Sequence, residues 1–295
     1  VTPTRKSARV MQERVTAYGF LLPNILGLMI FVFIPIVYAF YVSLHDWNAL
    51  TPKVFVGFQN YVTLMTDSKW WHSVLRTLMY SVVYVPLLFC LALLSAVIVN
   101  ALRGKTVGIV RTMFLLPFSI TSVIAAIIAM FLLDPRSGLI NQLLSFAGIG
   151  RQQFLGSPSQ AIYCVIFTVL WINLGYNMTI FLSAIKEIPK DYYEAAHMDG
   201  ATRFQSFRYL TFPLLRETNT FILIVTTIAS FQVFDQIIVM TNGGPIDATE
   251  VSVLYIYKEA FQMLHMGYSS ALAFVLFLII FAFSMIQLKL VSSNK

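Results

Sequence analysis

Asp235 is the one acidic residue lying well inside a long apolar stretch of this 295-residue chain, where ionisable groups are costly and normally functional. A membrane-buried enzyme would gather a base, a second acid or a nucleophile around such a group. None is in place: His45 and Asp46 sit just beyond the first apolar run, His72 and His265 lie between runs, His197 lies in a polar loop, and neither H-E-x-x-H nor G-x-S-x-G occurs. Cys90 and Cys164 both fall inside apolar runs, which suits packing rather than a disulfide framework or a metal. Gly104, Lys105 and Thr106 look like the end of a phosphate-binding loop, but that motif needs a glycine five residues earlier, and position 99 is valine. The chain reads as a non-enzyme with no cofactor or metal of its own.

The loop from Ile185 to Glu217 is the exception to this sparse chemistry, since it holds 10 of the 33 Lys, Arg, Asp and Glu residues. Asp191 is placed as an N-cap, with Glu194 three residues on as in a capping box, and Gly200 suits a left-handed stop. Those signals define a helix of about two turns, roughly 12 Å long. Ala195 and Ala196 give it a face that another backbone can approach closely. A second helix starts near Ala201, carries Phe204, Phe207 and Leu210 or Thr211 at helical spacing, and reaches the bilayer at Pro213. The segment reads either as a surface loop with a helical hairpin or as a short rigid helix presented for docking to a cytoplasmic partner.

The elements that hold these residues follow from composition. Apolar residues make up 58% of the chain and charged residues only 11%, with 25 Phe, 14 Tyr and 4 Trp. Soluble domains run at about 45–50% apolar and about 25% charged, so a water-soluble enzyme and a disordered chain are both excluded. The fold expected is an all-α polytopic membrane protein with six transmembrane helices, at 18–44, 77–99, 109–133, 161–184, 218–240 and 267–290. A cytoplasmic segment 1–17 precedes them, an outer loop 45–76 separates the first two, and a tail 291–295 follows. The first run is too long for a signal peptide and no A-x-A-like site follows it. Fourteen of the 20 Lys and Arg residues fall in the N-terminal segment, around residues 103–111, in the loop 185–217 and in the tail. Both termini are therefore expected in the cytoplasm, and the net charge of +7 needs no nucleic acid to explain it.

Glu194, Ala195, Ala196 and Gly200, followed by Leu210, Thr211, Phe212 and Pro213, resemble the EAA loop of permease subunits of binding-protein-dependent ABC importers. Further stretches are similar to the sugar and glycerol-3-phosphate branch of that family, the maltose-type branch: Leu22 to Gly27 with Phe33 to Pro35, Phe55 to Tyr61, Phe114 to Pro117, Gly138 to Asn141, Leu174 to Met178, and Phe234 and Asp235 with Thr241 to Pro245. Ala129 and Met130 depart from it, since many relatives carry tryptophan there. The resemblance covers nearly the whole chain. It implies a type I importer permease fold with residues 77–290 as the shared core and the first span wrapping a partner. It implies a prokaryotic plasma-membrane location, a second permease subunit, two ATP-binding-cassette subunits that bind ATP and Mg, and an extracytoplasmic solute-binding protein. Glu194, Ala195, Ala196, Asp199, Gly200, Ala201 and Pro213 are then the residues that couple to the ATPase.

A sugar calls for aromatic faces and neutral hydrogen-bonding groups. Candidates along a substrate path are Ser119, Thr121 and Ser122, then Trp171, Asn173, Tyr176 and Asn177, and finally Phe231, Gln232 and Asp235. Ser, Thr, Asn and Gln also pack and bridge membrane helices. Asp235 suits a structural role, accepting bonds from the turn at 241–244. Cargo alternatives are glycerol-3-phosphate or a glycerophosphodiester, which would want cations along the path. An ATP-independent secondary transporter, a different class, would want inverted repeats and several intramembrane charges.

Overall fold

The computed structural model describes residues 5–102 and 104–292, with side chains from 13 to 289 apart from 15 and 103. Arg103 and Lys295, two of the basic residues counted above, and the outermost parts of both terminal segments lie outside the described residues.

Among the described residues, four helical stretches are long and apolar enough to cross a membrane: Thr16–Ser43, Ser68–Ala101, Ala161–Glu187 and Met266–Lys289. The first is built from α1 (Arg5–Leu28), a π turn at Met29–Phe33 and α2 (Ile34–Ser43). After it come a two-residue strand pair, His45–Asp46 against Val54–Phe55, and α3 (Gln59–Thr66). These residues, with Lys258–Val275, form one compact unit. In it Lys53 lies over the rings of Trp47 and Tyr38, at 4.6 and 4.7 Å, and bonds the Tyr38 hydroxyl. The first span buries almost none of its own surface, so its apolar sides face lipid or another chain.

The second unit, Asp67–Tyr257 with the remainder of the last helix, contains the core. α4 (Ser68–Ala101) starts where the Asp67 carboxylate accepts the backbone N–H groups of Lys69 and Trp70 at 2.9 and 3.2 Å. The same carboxylate accepts the Tyr255 hydroxyl at 2.6 Å. α4 packs along α8 (Ala161–Glu187), with Ala92 and Ala96 against Met178, Phe181 and Leu182. Pro86 lies inside α4, an arrangement bundles tolerate because neighbours satisfy the freed carbonyl.

Where the third and fifth spans were expected, the chain does not run as one helix. α5 (Lys105–Leu115) gives way to a 3₁₀ turn at Pro117–Ser119 and an extended Ile120, and α6 (Ser122–Leu132) then restarts. Proline fixes its own φ and has no N–H to donate, while Thr121 caps the new helix by accepting the N–H of Ile124. After it, the Asp134 carboxylate accepts the N–H groups of Ser137 and Arg136 and the Ser137 hydroxyl, which holds its pKa below the ordinary value. α7 (Leu139–Phe146) then leads to α8.

On the other side of α8, the polar loop forms α9 (Lys190–Met198), α10 (Arg203–Ser206), a π turn at Phe207–Thr211 and α11 (Phe212–Leu214). α12 (Arg216–Phe231) ends at Gln232, and α13 (Asp235–Met240) restarts after Phe234 at φ −145°. α14 (Ser252–Tyr257), a π turn at Lys258–Gln262 and α15 (Met266–Ser292) are the last of the described elements. Helices broken in this way are tolerated at membrane depth where the irregular backbone is buried in protein or lines a cavity.

Candidate functional site

Both kinds of break border one cavity of about 270 Å³. The break after α12 supplies Gln232, Val233, Phe234 and Asp235, and the break before α6 supplies Phe118. α8 contributes Asn173, Tyr176 and Asn177, and α4 contributes Tyr80 and Tyr84. The walls are paired aromatic faces. Phe118 and Tyr176 stack at 4.7 Å and 11°, and Tyr80 and Tyr84 stack at 5.3 Å and 18°.

The polar lining is amide, hydroxyl and a single carboxylate. Asn173 and Asn177 donate back along α8 to the carbonyls of Val169 and Asn173 at 3.0 and 2.9 Å. Each amide oxygen remains an acceptor. The Tyr80 hydroxyl is buried with no hydrogen-bond partner. Gln232 and Asp235 are exposed on this cavity. Among the described residues no Lys or Arg lines it.

Of the sequence candidates, the structure brings Asn173, Tyr176, Asn177, Gln232 and Asp235 together here and leaves five elsewhere. Trp171 lines a separate apolar cavity of about 600 Å³ with Ala129, Phe167 and Tyr163. Phe231 is buried in packing against Phe283. Ser119 donates to the Leu116 carbonyl at 2.7 Å, Thr121 is the cap of α6, and Ser122 opens that helix; none lines the cavity. Asp235 opens α13, and the turn at 241–244 closes its other end. That turn bonds to itself and to Ile237: Asn242 N to Ile237 O, and Gly244 N to Thr241 O. The expected structural bonds from turn to carboxylate are not made among the described residues. Sequence reading missed Tyr80, Tyr84 and Phe118. The two tyrosines stand one helical turn apart, a spacing that places them on one face.

The docking loop carries the second set of candidates. α9 begins at Lys190 with Pro189 in the cap position and no side-chain cap bond, so Asp191 sits in the first turn rather than at the cap. There it still complements the positive end of the helix. The capping box is made one helix later, where Thr202 and Gln205 bond each other's backbone. Gly200 takes φ +79°. Around it Ala201 N–H reaches Ala196 O at 2.9 Å and Gly200 N–H reaches His197 O at 3.0 Å, which is the Schellman pattern. Glu194, Ala195 and Asp199 are exposed, Ala196 and Ala201 half-buried, and Pro213 lies in α11. Met198, Phe204 and Tyr209 are largely exposed as well, an apolar surface of the kind that marks an interaction site.

Residues 60–293 match the family of binding-protein-dependent transport system inner membrane components. The chain is 35% identical over 97% of its length to the probable ABC transporter permease protein YurN of Bacillus subtilis, covering 99% of that protein. It is 31% identical to the trehalose/maltose transport system permease protein MalF of Thermococcus litoralis, over 94% of each. It is 32% identical to the sn-glycerol-3-phosphate permease protein UgpA of Agrobacterium fabrum, over 97% of each. Its fold superposes, with a TM-score of 0.84 and 24% identity, on a chain of a bacterial ABC transporter involved in import of the acidic polysaccharide alginate, covering 98% of this chain and 99% of that one. Multiple membrane-length helices, broken helices around a polar cavity and the whole-length matches agree: this multi-pass chain belongs to the family of binding-protein-dependent transport system inner membrane components.

Proposed function

We propose that this chain is one permease subunit of an ATP-driven importer and passes a neutral sugar or oligosaccharide through the cavity between α4, α8 and α12–α13. The observation that carries the cargo class is the lining: two stacked aromatic pairs, amides, hydroxyls and one carboxylate, with no cation. Aromatic faces meet the C–H face of a sugar ring, and the amides meet its hydroxyls. A phosphate or a uronic acid would be repelled by Asp235 without a compensating Lys or Arg. That favours the cargo named for the trehalose/maltose relative over those named for the glycerol-3-phosphate and alginate proteins.

In this reading α5–α6 and α12–α13 each cross the bilayer as a broken span, giving six crossings. The excess of Lys and Arg in the terminal segments, around residues 103–111 and in the loop 185–217 supports a cytoplasmic location for both termini and α9. The partners are a second permease subunit, two ATPase subunits that bind ATP and Mg, and an extracytoplasmic binding protein. Glu194, Ala195, Ala196, Asp199, Gly200, Ala201 and Pro213 form the contact through which ATPase closure moves the spans, and the absence of a nucleotide motif in this chain leaves hydrolysis to the partner.

The test is ATPase stimulation of the complex in proteoliposomes by its binding protein, loaded in parallel with neutral oligosaccharides, glycerol-3-phosphate or acidic oligosaccharides. Stimulation and uptake are expected with a neutral oligosaccharide. Stimulation by the anionic ligands alone rejects the cargo class, and uptake by the chain without ATPases under an ion gradient rejects the importer.

A further inference from the structure

A second polar cleft, of about 510 Å³, lies behind α9 where the ends of α4 and α8 meet the docking loop. Its size falls in the range of small-ligand sites. The basic side chains lining it are Arg203 and His197; among the described residues no Asp or Glu does. Neither Arg203 nor His197 has an ion-pair partner among the described residues. Asn100, Tyr193, Ser206 and Thr211 add hydrogen-bonding groups, and the Tyr193 and Thr211 hydroxyls lie 3.0 Å apart. Val97, Leu102 and Ile185 supply an apolar wall from the ends of the two long helices.

This combination has a specific chemical meaning. A guanidinium without a carboxylate partner presents a planar fork of donors matched to phosphate oxygens, and the nearby hydroxyls and amide complete an anion shell. The apolar wall at the helix ends suits the glycerol and upper acyl carbons of an amphiphile. Basic pockets between membrane helices on the cytoplasmic side are sites for anionic headgroups.

We propose that this cleft binds a phosphate group, carried by an anionic lipid headgroup or by a soluble phosphate, with Arg203 as its principal ligand and His197 beside it. The bound group bridges the docking loop to the ends of α4 and α8, so that α9 is held against the spans it has to move. The site is separate from the proposed cargo cavity; its cytoplasmic placement, the movement of α9 and the ATPase complex used in the test rest on the function proposed above, whereas the cleft and its lining do not.

The assembled complex with its ATPases, delipidated in detergent, is titrated calorimetrically with dihexanoyl phosphatidylglycerol, dihexanoyl phosphatidylcholine and inorganic phosphate. Detergent makes the result independent of membrane orientation and of cargo. Saturable binding of phosphatidylglycerol but not phosphatidylcholine is expected, and Arg203→Gln should weaken it about tenfold or more, about 1.4 kcal/mol per tenfold. Arg208→Gln removes an exposed guanidinium that does not line the cleft and should leave binding unchanged, while His197→Gln should weaken it by a smaller factor. Binding of inorganic phosphate with the same dependence on Arg203 assigns a soluble source, and binding of phosphatidylglycerol alone assigns the lipid. The proposal is overturned if no probe binds saturably, or if Arg208→Gln weakens binding as much as Arg203→Gln does. Melting curves of each variant confirm that folding is unchanged; Arg203 is exposed, so its replacement disturbs no packing.

Discussion

At the scale of single residues, two side chains separate packing from function. A Cβ on Gly200 would meet nothing within 4 Å, so space does not require glycine there; the φ of +79° does. A β-branched residue in that region costs about 1–2 kcal/mol, whereas asparagine tolerates it. Gly200→Val is therefore expected to uncouple ATP hydrolysis from uptake in reconstituted vesicles, and Gly200→Asn to retain much of the coupling. Equal, tightly coupled transport by both variants would remove the argument. Tyr80 is the complementary case, a buried hydroxyl with no hydrogen-bond partner among the described residues, at the wall of the proposed cargo cavity. Removing an unpartnered hydroxyl is neutral or stabilising, but if cargo supplies its partner the loss is about 1 kcal/mol of binding. Tyr80→Phe should keep or raise the melting temperature and raise the KM for uptake about fivefold; an unchanged KM shows that cargo does not reach it.

At the scale of elements, close approach decides where helices cross. A Cβ on Gly175 would stand 1.8 Å from the Phe114 carbonyl oxygen and 2.3 Å from its carbon, both backbone atoms. Backbone cannot swing aside as a flexible side chain can, so Gly175→Ala must push α8 away from α5. Overpacking of this kind costs about 1–3 kcal/mol, and a clear fall in melting temperature in detergent is expected; an unchanged melting curve would mean the two helices are free to separate. The Thr202–Gln205 capping box makes a gentler prediction. Thr202→Ala should lower the stability of the docking loop by about 1 kcal/mol, read as faster amide exchange over α10. The glycine stop at 200 was read from the chain, whereas the capping box at Thr202 and Gln205 was missed. The start of α9 was misread because Asp191 and Glu194 imitate a capping box, while the true boundary is set by Pro189, which disfavours helix in the residue before it.

At the scale of the molecule, the orientation of the chain is open to direct measurement. Ile246 and Met198 are 89% and 86% exposed and lie in segments proposed to face opposite sides. With Cys90 and Cys164 replaced, a membrane-impermeant maleimide should label Ile246→Cys in intact cells and Met198→Cys only after permeabilisation; the reverse pattern would invert the topology. The amino-acid sequence alone determined the membrane class, the ordered apolar stretches, the asymmetry of basic residues and the glycine stop of the polar loop, because hydropathy, charge and turn chemistry are local properties. It did not show that the third and fifth stretches break, nor which polar residues share a cavity. Trp171 and Asn173 are two residues apart, yet on the helix they point in different directions and line different cavities. Tyr80, Asn173 and Gln232 are far apart in the chain and meet only because α4, α8 and the break after α12 pack together. That meeting depends on small residues such as Ala92, Ala96 and Gly175 letting backbones approach, a property of pairs of helices that no single stretch of sequence contains.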